Sequence, residues 1–475
     1  MENKKNFRVE KDLIGPREIP ADALYGINAL RGMENFPISK FSLSEYDLFL
    51  KGIAITKKAA AMANCDLGDI TEEQKDAVCK ACDEIMEGKL AEEFRVDMIQ
   101  GGAGTTTNMC ANEVIANRAL QIMGHELGEY KYCSPHDVVN RSQSTNDAYP
   151  TFIHLGLWYS NDKLKAHFQK LIDAFSAKAE EFKDIIKMGR TQLEDAIPMT
   201  LGQTFGGFAA ILEDEMKHLD EAAADFLTVN MGATAIGTGM CSEPGYAEKC
   251  IQHLRDITGL DIKLARHLVG ATSDTSCMVG YASAMKRIAV KVNKISNDLR
   301  LLASGPRCGL GEINLPAKQP GSSIMPGKVN PVIPEVMNQI CYKVIGNEYT
   351  TTMAGQAAQM ELNAMEPVMA QCCFESVDLL INGFETLRKN CVEGITANKD
   401  KCESHVHNSI GIVTALNPYI GYDYSTKFAM EAMKTGRPVT DLVLEEGVLD
   451  QKDLDIILAP ENMIKPVKLD IKPKK

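Results

Sequence analysis

The stretch MVGYASAMKRIAVKVNKISNDLRLL, residues 278–302, sets apolar side chains at Met278, Tyr281, Met285, Ile288, Val292, Ile295, Leu299 and Leu302. The steps alternate three and four, the period of a helix that buries one seam along its length. A second run repeats the pattern through Leu164, Phe168, Leu171, Phe175, Ala179, Phe182 and Ile186. A third opens at Pro334 and Glu335 and continues through VMNQICYKVIGN toward residue 365. At about 1.5 Å per residue, such helices reach ~40 Å. Rods of that size pack as bundles and often associate with copies of themselves. The expectation is a mainly α fold around a central long-helix bundle.

On either side of the rods the texture changes. Residues 1–141 mix a Gly- and Pro-punctuated entry, GPREIPADALYG, with helical stretches such as KKAAAMAN and EEQKDAVCKACDEIM. Residues 142–398 carry the rods. Residues 399–475 turn to short helices and turns (ALNPYIGYD, KTGRPVTDLV, EEGVLDQKDLDIIL) and end in a basic tail to which no function is assigned. Since 475 residues exceed what a single core serves, two or three domains are expected, and these changes of texture divide the chain into three.

The net charge of −13 argues against nucleic acid or an anionic membrane as the main partner, because each needs a basic footprint. No run of about 18 apolar residues is present, so no membrane span is expected. The opening MENKKNFRVEKDLIG has neither an apolar core nor a small-residue cleavage site, and is read as no secretion leader. Fourteen cysteines without such a leader point to a reducing, cytoplasmic compartment and free thiols. Cys79 and Cys82 form a C-x-x-C, but inside a helix-like run with no second pair at zinc spacing. They and the adjacent Cys372 and Cys373 are read as small buried hydrophobes. His405 and His407 lack a third ligand, so no metal site is expected.

Four segments break the helical pattern with dense small polar residues: Gly101 to Asn108 (GGAGTTTN), Ser142 to Asp147 (SQSTND), Gly189 to Asp195 (GRTQLED) and Gly321 to Pro331 (GSSIMPGKVNP). Hydroxyls, amides and glycine-exposed N–H groups are what a site needs to hold carboxylates and a developing oxyanion. Read alone, each segment would be a helix cap or a turn. Their recurrence, with Lys328 inside a Gly/Pro-framed turn, speaks for a shared site.

The fourth segment resembles the mobile catalytic loop of the aspartase/fumarase superfamily. The other three stand in the order and spacing of that family, as do GATAIGTG (Gly232 to Gly239) and ALNPYIGYD, so the resemblance runs from about Arg8 to about residue 460. It implies a three-domain fold whose long helices assemble into a tetrameric core, with three chains contributing to each site. Within the superfamily, ALYGINALRGMENF, MGRTQLEDAIPMTLGQ and GEINLPAKQPGSSIMPGKVNPVIPEVMNQ look most like the aspartase branch. Fumarases of this fold usually carry histidine after the threonine of the third segment, where this chain has Gln192. A glutamine can position an amine or a water but cannot relay a proton near neutral pH.

What the resemblance implies is a carbon–nitrogen lyase that reversibly removes ammonia from L-aspartate to give fumarate. The step would pass through an aci-carboxylate and need no organic cofactor. Divalent cations activate some members of the branch, and no motif here locates one. Ser322 would be the base. Thr105, Ser144, Thr145 and Ser323 would hold the β-carboxylate, and Lys328, Asn330 and Thr191 the α-carboxylate. Asn146 and Gln192 would orient the amino group, with Glu335 behind Gln192. Glu113 is read as structural, and His136 and Asp137, which resemble an anion patch of the fumarase branch, are given no catalytic role. The alternatives are a class II fumarate hydratase, an inactive structural relative and a helical partner-binding protein. An inactive relative would be expected to have lost Ser322, Lys328 or Asn330, and the polar segments speak against a mere partner-binding bundle.

Overall fold

The computed structural model describes residues 7–474. Residues 1–6, within the stretch read as no leader, and residue 475 of the basic tail lie outside the described residues. The chain divides into two compact units: the first comprises residues 1–166, 215–290 and 340–381, the second 167–214, 291–339 and 382–475. Helices dominate both, and the described strands pair only in two-stranded sheets. No helix of the described residues is long and apolar enough to cross a membrane.

The seam that opens the sequence reading is realised. Ser276–Leu302 is one 27-residue helix. Met278, Tyr281, Met285 and Ile288 are buried in the first unit, and Val292, Ile295, Leu299 and Leu302 in the second. Thr145–Glu181 is a 37-residue helix. Within the second unit its Phe168 stacks on Phe384 and its Phe175 packs against Phe205 and Phe208, while Phe182, one residue past the helix, packs against Phe205. Aromatic edges and faces meet here as their quadrupoles prefer.

Three readings need correction. Ile186 does not extend the second rod: the helix stops at Glu181, and Ile186 opens a β-strand, Ile186–Thr191, antiparallel to Glu194–Thr200. The third rod ends at Gly355 rather than near residue 365, and a separate helix, Glu366–Asn390, follows. The third polar segment, between the helix that ends at Glu181 and the one that begins at Leu201, is therefore a β-hairpin rather than an irregular loop. Its turn residues Gln192 and Leu193 both have positive φ, 57° and 66°. Two consecutive left-handed residues match the right-handed twist of a hairpin, but for non-glycine residues this costs about 1–2 kcal/mol each. A further long helix, Leu201–Ala224, follows the hairpin.

Residues from Ile412 to Ile457 collect an apolar cluster of their own around Leu416, Phe428, Val443 and Leu454. All fourteen cysteines are free thiols, and burial pushes Cys79 up to about 11 and Cys82 well above the usual range. Thiolates do not form readily in such surroundings.

Candidate active site

The fourth polar segment forms a closed loop in the second unit. Met325-Pro326-Gly327-Lys328 is a tight turn in which Lys328 N–H donates to the Met325 carbonyl at 3.2 Å. Proline presets the first central φ, and Gly327 supplies the positive φ (80°) of the second. At the base, Gly321 N–H donates to the Lys328 carbonyl at 2.8 Å, and Asn330 Nδ2 donates to the Gly321 carbonyl at 2.6 Å. A Cβ on Gly321 would lie 2.2 Å from that Lys328 oxygen, so only glycine fits. Inside the loop, Ser322 Oγ accepts N–H groups from Ile324 (3.2 Å) and Met325 (3.0 Å). Two donors aimed at one hydroxyl oxygen favour its deprotonated form. Ser323 and Lys328 are exposed, and Ser322 and Asn330 are half-buried.

The same unit carries Thr191 and Gln192, exposed at the hairpin tip. The hairpin is anchored one residue earlier. Arg190 Nη1 donates to Glu312 Oε1 at 2.7 Å, His405 Nδ1 lies 2.9 Å from that oxygen, and Lys187 Nζ lies 3.4 Å from Oε2. Burial pushes the Glu312 carboxyl up, but Lys187, His405 and Arg190 outweigh it and hold it below the usual range. Glu335, in the first turn of the helix Val332–Gly355, lies 4.0 Å from the Arg300 guanidinium.

The first unit carries Thr105, Ser144, Thr145 and Asn146, all at helix starts. Thr105 begins the helix Thr105–Ile122 after Gly104 (φ 89°), where a Cβ would lie 2.3 Å from the Tyr149 ring. Ser144 caps the 37-residue helix: its Oγ accepts Asn146 N–H at 3.2 Å, and its own N–H donates to Asp147 Oδ1 at 2.9 Å. The exchange resembles a capping box, with the hydroxyl bonded to the second rather than the third helical residue. Asp147 Oδ2 in turn accepts N–H groups from Gly232 (3.0 Å) and Thr234 (2.9 Å), tying GATAIGTG to the cap. Asn146 Nδ2 donates to the Ala235 carbonyl at 2.8 Å. Pro150 has no N–H for the Asn146 carbonyl four residues back. Asn230 Nδ2 fills that place at 3.1 Å. The proline thus recruits a neighbouring segment instead of breaking the helix.

Beneath this cap lies a residue that sequence reading missed. Lys57 is fully buried, and its Nζ donates to Gln143 Oε1 (2.8 Å) and Asn140 Oδ1 (3.2 Å). Asn140 Oδ1 also accepts from Asn108 Nδ2 at 3.1 Å, and that amide donates to Thr145 Oγ1 at 3.1 Å. Thr145, accepting from below, keeps its O–H free to donate elsewhere. The available signal was position: Lys57 sits four residues after Ile53 on a helix whose neighbours are apolar and buried. Burial pulls Lys57 down to about 7 against the attraction of Asp147, and burial pushes Asp147 up to about 6 against its three backbone donors and Lys57. Between about 7 and the ordinary 10.5 the unfolded chain holds a proton that folded Lys57 lacks, so stability rises with pH there. Lys57→Met is expected to flatten that rise relative to the wild type, read as thermal midpoints above pH 7. An unchanged slope would mean that Lys57 keeps its proton when folded.

Glu113 is structural, as read. Its oxygens accept from Gly26, Asn28 and Ala29 N–H at 2.7–3.0 Å, closing the start of the helix Ile27–Asn35. His136 and Asp137 are exposed on a short helical turn capped by Ser134. His405 belongs to the Glu312 cluster, and among the described residues no three His, Cys, Asp or Glu side chains are grouped to hold a metal.

Residues 15–346 match the lyase family and residues 412–465 the fumarase C C-terminal family. An aspartate ammonia-lyase from Pseudomonas canavaninivorans is 53% identical over 467 residues, covering 98% of each chain. The chain belongs to the aspartate ammonia-lyase family. Among solved structures, the fumarate lyase:delta crystallin from Brucella melitensis superposes with TM-score 0.94 at 48% identity, over 97% of this chain and 100% of that one. A class II fumarase from Schistosoma mansoni shares the fold (TM-score 0.91, 96% and 99% coverage) at only 32% identity. Kinship with the aspartate ammonia-lyases is thus well above the likeness to that fumarase.

Proposed function

We propose that this protein is an aspartate ammonia-lyase, removing ammonia reversibly from L-aspartate to give fumarate, with Ser322 as the base. The observation that carries the reading is the Ser322 oxygen, held by two backbone N–H groups in the loop that also bears Lys328 and Asn330. In the forward direction Ser322 Oγ takes the Cβ proton, and the electron pair moves into the β-carboxylate. Thr105, Ser144, Thr145 and Ser323 stabilise the resulting dianion, each donor contributing about 3–4 kcal/mol. The pair then returns to form the C=C bond as the C–N bond breaks and the nitrogen departs. Lys328, Asn330 and Thr191 grip the α-carboxylate, and Asn146 and Gln192 orient the amino group, with Glu335 behind Gln192. No organic cofactor is needed.

These residues fall in two units of the chain, and a homotetramer with sites shared between subunits would unite them. Supporting that assembly, the first unit leaves Tyr342, Gly346, Tyr349 and Met353 exposed on one face of the helix Val332–Gly355, with Tyr349 67% exposed. An apolar stripe of this kind marks a contact surface. The three-domain division at residues 141 and 398 and a cytoplasmic location complete the proposal.

The test is fumarate absorbance after mixing the protein separately with L-aspartate and L-malate. Fumarate from L-aspartate supports the reading, and fumarate from L-malate alone reverses it in favour of a hydratase. Gly321→Ala is expected to lower kcat/KM for L-aspartate by ~100-fold with the thermal midpoint unchanged, since misplacing a catalytic group by about 1 Å costs that much. Full activity would show that the loop base tolerates a Cβ.

A further inference from the structure

Apart from the polar loops, the first unit holds a cavity of about 290 Å³ whose wall includes Glu366, Asp225, Asp274, His154, Cys277 and Asn230. Glu366, the first residue of the helix Glu366–Asn390, is only 3% exposed, yet its carboxyl makes no hydrogen bond or ion pair with any described residue. Burial alone pushes it up to about 8. A buried carboxyl without a partner is costly, and native structures retain one rarely without use.

The remaining wall decides which ligand fits. His154 Nδ1 faces the Thr228 carbonyl at 3.0 Å and therefore carries the proton, so its bare Nε2 accepts the Cys277 thiol at 3.1 Å. With both nitrogens engaged and burial pulling it down to about 4, the imidazole is neutral. The only groups of the wall able to carry charge near neutral pH are therefore the carboxyls of Glu366, Asp225 and Asp274. An anion would be repelled. The carboxyls are not grouped as a metal chelate among the described residues.

We propose that this cavity binds a primary ammonium group, with Glu366 as its counter-charge. The ammonium supplies N–H donors and a positive charge, and so relieves the cost of ionising a carboxyl in the interior. Asn230, on the cavity wall, also donates to the Asn146 carbonyl, so the pocket shares one side chain with the helix start that bears Asn146. The proposal goes beyond the lyase reading and does not depend on it.

The test uses the whole chain in its solution assembly, titrated with ammonium chloride against sodium chloride at matched ionic strength and followed by calorimetry and thermal midpoint. Methylammonium chloride and L-alanine form further arms. Saturable binding of ammonium but not sodium is expected. Glu366→Gln should weaken it at least about tenfold, the usual effect of losing a charged hydrogen-bond partner. Asp274→Asn, at the exposed rim, should weaken it less. Ammonium and methylammonium binding above L-alanine identifies free ammonium as the ligand, and the reverse order identifies the α-ammonium of an amino acid. Equal responses to ammonium and sodium overturn the proposal, as does wild-type binding by Glu366→Gln or a partner subunit's lysine seated on Glu366 in the oligomer. Fumarate release on the same preparations reports separately on the lyase reading.

Discussion

Ser322→Ala is expected to lower fumarate formation from L-aspartate by about 10⁴-fold, the upper range for loss of a positioned base, while helical content and hydrodynamic size stay those of the wild type. The side chain is half-buried in a loop, and its oxygen only accepts bonds from Ile324 and Met325 N–H. Its removal frees two N–H groups at a solvated surface and empties no core, so the fold should be indifferent. Ser322→Cys is the informative companion: a thiol is far more acidic but larger, and the loop N–H groups are set for oxygen. Partial activity with an altered pH profile fits a base at this position. Wild-type rates in the alanine variant would remove Ser322 from the chemistry and direct attention to Lys328.

Glu312→Gln is expected to cost ~3–5 kcal/mol of stability, the usual penalty for removing one partner of a buried ion cluster. Glu312 is fully buried between Lys187 and Arg190, and the isosteric amide leaves both cations facing a neutral group that offers them N–H where they need an acceptor. The pH dependence has a definite sign. A carboxyl held below its ordinary value stabilises the fold at pH above the unfolded glutamate value, and that contribution is lost as the pH falls through the lowered folded value. The wild type should therefore lose stability in acid more steeply than the variant. A loss below about 1 kcal/mol by urea titration would mean that the cluster is solvated as a surface pair. Because Arg190 precedes Thr191, the variant should also show a raised KM.

The long helices were legible because a seam repeats. Each of the eight apolar positions from Met278 to Leu302 is buried, and one such pattern excludes strand periodicity over its whole length. The hairpin was not legible. Ile186 falls four residues after Phe182, at helical spacing, and the turn Gln192-Leu193 lacks the glycine or asparagine that usually marks two left-handed residues. The polar loops stood out by composition alone. Their supports did not, because Lys57 meets Asn140 across 83 positions and Arg190 meets Glu312 across 122. No local pattern encodes such pairings. Glu366 illustrates the same limit, since nothing in its neighbours along the chain announces that its carboxyl will lack a partner.

The two bonds that pinch the base of the 321–331 loop, from Gly321 to Lys328 and from Asn330 to Gly321, have a kinetic corollary. They tie Ser322, Lys328 and Asn330 into one closed segment, so the proposed proton acceptor and carboxylate grip would move together. On the proposed roles of Ser322, Lys328 and Asn330, closure of such a loop over the substrate would deliver both in a single swing.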